Sequence, residues 1–318
     1  MKKAFVTGIT GFAGSFLAEH LVSKGFEVSG TYLSDTSINN ISSIKDSITL
    51  YKVDLAKKED VSSAIAKASP EYLFHLAALA ATGESFNNPG EVMINNIMAQ
   101  LNVLNSLIEH NLITCRTLIV SSAEVYGSVA KENLPTSEDA PLRPMNPYSV
   151  SKITQDFMGL QYFLSHGLPV VRVRPFNHIG PRQGPSFVVA SFAKKIAEIE
   201  KGINPPVLTV GNLDTSRDFT DVRDMAQAYL LLIEKGIAGE VYNVGSGTSY
   251  KISDILKKLL SYSNKEIKVE TEGSLVRKTD TKESRCDNKK FVDLTGWTTT
   301  IPIDKSLKDT LDYWRNIV

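Results

Sequence analysis

Residues 3–21, KAFVTGITGFAGSFLAEHL, constrain the fold more than any other stretch of the chain. A short apolar run over Lys3–Thr7 reads as a strand, and apolar residues at helical spacing follow over Gly14–Lys24. Between them Gly8, Gly11 and Gly14 keep a GxxGxxG spacing. Missing side chains let such a turn approach a pyrophosphate closely and let the helix pack on the strand, while the helix N-terminus faces the anion. Glycines also mark strand-to-helix turns for packing alone, so the motif takes its meaning from its place at the first such junction. There it predicts a dinucleotide cradle made of Gly8, Thr10, Gly11, Phe12, Ala13 and Gly14.

The alternation continues. Strand-like runs recur at Glu27–Thr31, Thr49–Val53, Tyr72–Leu76, Thr117–Ser121 and Pro169–Val173, separated by helical spacing at Val61–Ala68, Val92–His110 and Tyr148–His166. Strands separated by helices imply right-handed βαβ units and a parallel sheet covered on both faces. After about Pro175 the pattern loosens around Gly180-Pro181, Gly184-Pro185 and Pro205-Pro206, with helices at Phe187–Lys201, Ile252–Leu260 and Ser306–Ile317. A helix and strand at Val222–Lys235 and Val241–Val244 resume the earlier pattern. The predicted class is α/β, a doubly wound parallel sheet of Rossmann type with a smaller, partly interleaved α/β substrate domain. Residues 1–175 with a return segment at about 217–247 form the dinucleotide-binding domain; 176–216 and 248–318 form the substrate domain.

Composition excludes several classes. Lys+Arg and Asp+Glu are both 35, so the net charge is zero and nothing points to a nucleic-acid or membrane surface. Two cysteines, Cys115 and Cys286, and five scattered histidines show no ligand spacing, so no metal is expected. The start, MKKAFVTG, lacks a signal-peptide pattern, and no run of about 18 apolar residues is present. A cytoplasmic location is expected.

Cofactor choice is read at the end of the second strand, EVSGTYLSD. An acidic side chain there binds a ribose hydroxyl, and an arginine favours a 2′-phosphate. Tyr32 and Asp35 are present without a cation, which favours NAD(H) over NADP(H) while leaving both open. Asp54-Leu55 and Leu76-Ala77-Ala78, at the ends of the third and fourth strands, complete the expected cofactor contacts.

Two further segments carry chemistry. NPYSVSK at 146–152 places Tyr148 and Lys152 four residues apart, on one face at a helix start. Of the 11 tyrosines, only Tyr148 has a lysine at i+4. SSAEVYG at 121–127 brings Ser122 and Glu124 to the carboxyl end of a strand, where open α/β sheets bind ligands. A tyrosine ionises near pKa ~10; a lysine cation and an oxidised nicotinamide would draw it toward neutrality as a proton carrier. Ser122 would hold the substrate oxygen. Each group alone is an ordinary helix face or strand-end hydroxyl; the combination is not.

Together, Gly8–Gly14, Ser122, Tyr148 and Lys152 resemble the extended short-chain dehydrogenase/reductase family of nucleotide-sugar enzymes over nearly the full length. RPFNHIGPRQGPSFVVASFAKKIAEIEKG and VGNLDTSRDFTDVRD are most similar to GDP-4-keto-6-deoxy-D-mannose reductases and GDP-mannose 4,6-dehydratases. The resemblance implies a nucleotide-sugar substrate held by Asn177, Arg182, Val188, Lys194, Arg217, Arg277 and Asp280. The two arginines Arg217 and Arg277 would take its diphosphate. Asp280 stands in RKTD where the family carries a glutamate in RPTE. Ala123 replaces the aspartate of glucose-nucleotide dehydratases, and RDFTDVRD resembles the reductases more than an RDWG-type segment. The implied reaction is NAD(P)H-dependent reduction of GDP-4-keto-6-deoxy-D-mannose to GDP-D-rhamnose. A 4,6-dehydratase with Glu124 as the C5 base, a 4-epimerase and a non-catalytic nucleotide sensor remain as alternatives. The resemblance also implies a homodimer through Val92–His110 and Tyr148–His166.

Overall fold

The computed structural model describes residues 1–273 and 281–318. In chain order the first half runs β1 (Lys3–Thr7), α1 (Phe12–Ser23), β2 (Glu27–Tyr32), β3 (Ile48–Lys52), α2 (Lys58–Ala68), β4 (Tyr72–His75), α3 (Pro89–Glu109), β5 (Arg116–Val120), α4 (Pro147–His166) and β6 (Val170–Pro175). The second half runs β7 (Asn177–Ile179), α5 (Val188–Glu200), β8 (Val207–Val210), β9 (Ser216–Asp221), α6 (Val222–Lys235), β10 (Val241–Val244), β11 (Ser249–Lys251), α7 (Ile252–Leu260), β12 (Lys268–Thr271), α8 (Lys289–Thr295) and α9 (Ile303–Ile317). Seven strands form one sheet in the order β10-β6-β5-β4-β1-β2-β3, every pair parallel. This is the Rossmann-type sheet that the alternating sequence implies.

Burial explains why the strands are apolar on both sides. Ala4 and Val6 of β1 pack with Leu17 and Leu21 of α1 and Met225 and Tyr229 of α6. Phe5, between them, faces the opposite layer with Ile65 of α2 and Val103, Leu104 and Leu107 of α3. Successive strand residues point to opposite faces. Each fully buried leucine or phenylalanine contributes roughly 1.5–3 kcal/mol.

The second half is built on its own core. Ala193 and Ile196 of α5, Leu208 of β8, Ile255 and Leu259 of α7 and Leu311 of α9 cluster together. Strands β11, β9 and β7 form a small sheet, and β12 pairs with β8. The sequence pattern does not predict these five short strands, nor α8. Residues 216–221, expected at the head of the return segment, pair with β7 and β11 instead; the return to the large sheet is made by α6 and by β10 alongside β6. Among the described residues, no helix is long and apolar enough to cross a membrane, and no His/Cys/Asp/Glu group has a metal-binding arrangement.

Candidate active site

A cavity of about 1140 Å³ opens at the carboxyl ends of the large sheet and continues to the second core, lined by residues of both. Its floor is the glycine turn. Gly8 takes a left-handed φ of 67°, which favours glycine. Gly14 lies in the first turn of α1, which starts at Phe12 rather than at Gly14 itself, and a Cβ there would stand 2.2 Å from the Gly8 carbonyl oxygen. The helix therefore closes on the turn only because residue 14 has no side chain. Gly11 is the N-cap of α1, no side chain caps it, and no acidic residue occupies its first turn. This uncapped helix start lines the cavity, and free amides at a helix start are the arrangement that binds a diphosphate. Thr10, Phe12 and Ala13 line the same wall.

The rest of the cofactor set lines the cavity as well: Tyr32, Asp54, Leu55, Leu76, Ala77 and Ala78. Thr7, absent from the sequence reading, shapes this edge. Its hydroxyl oxygen accepts from the Leu76 and Ala77 amides, each at 3.1 Å, and meets His75 Nδ1 at 3.0 Å. Burial, then the Lys152 charge, lowers the His75 pKa to about 3, so this imidazole is neutral. At the far end the missing cation of the second strand comes from its neighbour. The register pairs Tyr32 with Lys52, and Lys52 forms an exposed ion pair with Asp35. The basis for favouring NAD(H) is thereby weakened.

The chemical end is held by two backbone turns. Ser122 caps a short 3₁₀ turn, Ala123–Tyr126, and its Oγ accepts from the Glu124 amide at 3.2 Å. Asn146 caps α4, whose first residue is Pro147. Tyr148 and Lys152, on the first turns of that helix, are 8% and 3% exposed. Lys152 Nζ donates to the Val120 carbonyl at 2.9 Å. Ser122, Glu124, Tyr148 and Lys152 all line the cavity. Burial pushes the Tyr148 phenol well above its ordinary value, with a hydrogen bond to Ser122 opposing and the Glu124 charge adding to it. Burial also lowers Lys152 to about 7. The expected effect of Lys152 on the phenol is thus outweighed in this state: desolvation dominates both groups, and the ammonium turns to a backbone carbonyl.

The substrate side departs further from expectation. Asn177, Val188 and Arg217 line the cavity, and Arg217 Nη1 donates to the carbonyls of Ser216 and Thr281 at 2.9 and 2.7 Å. Arg182 and Lys194 are not among the lining residues. Arg182 reaches back to α1, donating to Ser15 Oγ at 3.2 Å and Glu19 at 2.8 Å, over the Phe16 ring. Lys194 pairs with Glu198 at 3.4 Å. One residue turns a helix by about 100°, so the neighbouring Lys195 faces the cavity instead, its Nζ on the Thr209 carbonyl at 2.9 Å. His178, also unforeseen, stacks on Phe12 at 5.6 Å, joining the glycine turn to the substrate side. Arg277 and Asp280 lie outside the described residues.

The sequence profile of the GDP-mannose 4,6 dehydratase family matches residues 5–310. The chain belongs to that family. Within this extended short-chain dehydrogenase/reductase group, it is 33% identical over 317 residues to the GDP-6-deoxy-D-mannose reductase of Pseudomonas aeruginosa, covering 100% of this chain and 98% of that protein. The structure of RMD from Pseudomonas aeruginosa complexed with NADPH matches with a TM-score of 0.87 at 32% identity, covering 100% of both chains. The UDP-glucose 4-epimerase of Thermus thermophilus in complex with NAD matches with a TM-score of 0.89 at 28% identity, again over 100% of both. An NAD(P)(H) cofactor fits this family member, whose glycine turn lines the cavity and whose helix packs on that turn only because residue 14 lacks a side chain.

Proposed function

We propose that this protein is an NAD(P)H-dependent oxidoreductase that reduces GDP-4-keto-6-deoxy-D-mannose to GDP-D-rhamnose. The observation that carries the reading is the placement of Ser122, Tyr148 and Lys152 in one cavity with an uncapped glycine turn. The full-length likeness to a protein named as a GDP-6-deoxy-D-mannose reductase supports the choice of substrate. A reduced nicotinamide cofactor, its diphosphate held along Gly8–Gly14, would supply the hydride. Ser122 and Tyr148 hold the C4 carbonyl oxygen by hydrogen bonds and so orient the carbon that accepts it. Tyr148 then gives its phenolic proton to the oxygen that has become an alkoxide, leaving a hydroxyl. The buried phenolate that results is stabilised by the Lys152 ammonium, 5.8 Å from the ring centre. Arg217 and Lys195 supply positive charge toward the nucleotide diphosphate.

One observation favours a second reading, a 4,6-dehydratase. Glu124 is exposed to the cavity beside Tyr148, where a C5 base would stand, and several relatives carry that name. The experiment that separates the two is product analysis with GDP-mannose and with its 4-keto-6-deoxy derivative, following nicotinamide absorbance.

The protein acts in this reading as a homodimer in the cytoplasm, with neither nucleic acid nor membrane as partner. Support for the dimer comes from apolar side chains left exposed on two packed helices: Ile94 and Met98 of α3, and Val150, Phe157 and Leu164 of α4. Asn96 and Gln100 of α3 donate to Ser151 Oγ and the Gln155 carbonyl of α4, holding the two helices as one face.

A further inference from the structure

Asn146 stands where two polar arrangements meet. Its Oδ1 accepts from the Ser149 amide at 2.7 Å and its own amide donates to Ser149 Oγ at 3.2 Å, a reciprocal cap on the helix that bears Tyr148 and Lys152. Its Nδ2 donates to Glu124 Oε2 at 3.2 Å, 22 residues away. Glu124 in turn donates its backbone amide to Ser122 Oγ, and Ser122 and Tyr148 line the same cavity. The contacts tie the cap of the helix that bears Tyr148 and Lys152 to the turn that carries Ser122 and Glu124.

Capping alone does not call for asparagine. Serine, aspartate and asparagine cap helices about equally well, but of the three only asparagine adds an N–H donor to the capping oxygen. That donor is spent on Glu124. Among the described residues Glu124 forms no ion pair with lysine or arginine, and it lines the cavity. An ionised carboxylate only accepts hydrogen bonds, and a sugar ring offers hydroxyl donors.

We propose that Asn146 is a positioning residue that fixes the Glu124 carboxylate as the acceptor for a hydroxyl of the nucleotide sugar. The proposal rests on the nucleotide-sugar reading above. It also accounts for a hazard: the Glu124 charge opposes ionisation of Tyr148, so a carboxylate free to swing toward the phenol would hinder proton transfer.

The test is a double-mutant cycle with Asn146→Ser and Glu124→Gln, read as the calorimetric Kd for GDP-mannose. Asn146→Ser keeps a capping oxygen and loses the Nδ2–H that reaches Glu124. It is expected to weaken GDP-mannose binding about three- to tenfold, while leaving the Tm and NADPH binding close to wild type. In the Glu124→Gln background the same change is expected to have little further effect, because the charge it positions is gone. Asn146→Asp, which also caps, sets two carboxylates together and is expected to weaken binding more than Asn146→Ser, with Glu124→Gln restoring part of it. Equal losses in both backgrounds, or no loss in the wild-type background, overturn the proposal. Wild-type protein that binds GDP-mannose without reducing the keto-sugar defeats the reductase reading, and the cycle still decides the role of Asn146. Wild-type protein that binds neither GDP-mannose nor its 4-keto-6-deoxy derivative defeats both.

Discussion

Lys152 Nζ lies 5.8 Å from the centre of the Tyr148 ring, and both side chains are buried at the start of one helix. A charge and a phenol are seldom enclosed together without a use. Tyr148→Phe keeps the ring and removes the proton; Lys152→Met keeps a stem and removes the charge. Each is expected to cut kcat by roughly a hundredfold or more, with a cooperative unfolding transition retained. Steady-state kinetics beside thermal melts checks this; near-normal kcat in Tyr148→Phe contradicts it.

Burial of Lys152 also makes stability depend on pH. Its folded value is about 7 against 10.5 for the ordinary side chain, so between those values the unfolded chain holds more protons. Stability of the cofactor-free protein is therefore expected to rise with pH from about 7 toward 9, by no more than about 1.4 kcal/mol per pH unit for one proton. Denaturant melts at several pH values read the slope. Lys152→Met is expected to flatten it, and an unchanged slope in that variant assigns the effect elsewhere.

The Asp35–Lys52 pair predicts how cofactor choice can be moved. Asp35→Asn releases the cation beside Tyr32 and is expected to raise the kcat/KM ratio of NADPH over NADH by only about two- to fivefold, because an exposed, salt-screened pair is weak. Lys52→Met is expected to move the ratio the other way. If neither variant changes the ratio, a 2′-phosphate is recognised by other groups.

Gly14→Ala is expected to destabilise the protein by about 1–3 kcal/mol and to weaken cofactor binding, because the added carbon meets the Gly8 carbonyl rather than a movable side chain. Gly90→Ala, with open space at its Cβ, serves as the control. Equal behaviour of the two variants in melts and NADPH titrations argues against a close turn.

The parts of the molecule legible in sequence are those whose cause is local. Strands β1 to β6 announce themselves because a parallel sheet buried on both faces needs unbroken apolar runs, and Ser122, Tyr148 and Lys152 because each sits at a strand end or helix start. Strands β7, β9 and β11 hold only three to six residues and depend on partners across the chain, so no periodicity marks them. The lysine of α5 that faces the cavity is Lys195 and not Lys194, a matter of helix phase fixed by packing on the second core. Lys52 comes beside Tyr32 only through the β2–β3 register, and the Asn146–Glu124 contact spans a loop that no motif encodes.

A reductase passes the nicotinamide hydride to the keto-sugar for good, whereas a dehydratase takes it back within each turnover. The most direct measurement incubates purified protein and NADPH with GDP-4-keto-6-deoxy-D-mannose, following absorbance at the nicotinamide band and the sugar product by NMR. A reductase oxidises one NADPH for each GDP-D-rhamnose formed and leaves GDP-mannose unchanged without added reductant, and this is the expected result. Accumulation of the 4-keto-6-deoxy sugar from GDP-mannose over many turnovers, with no net change in cofactor, contradicts it and makes Glu124 the base of a dehydratase.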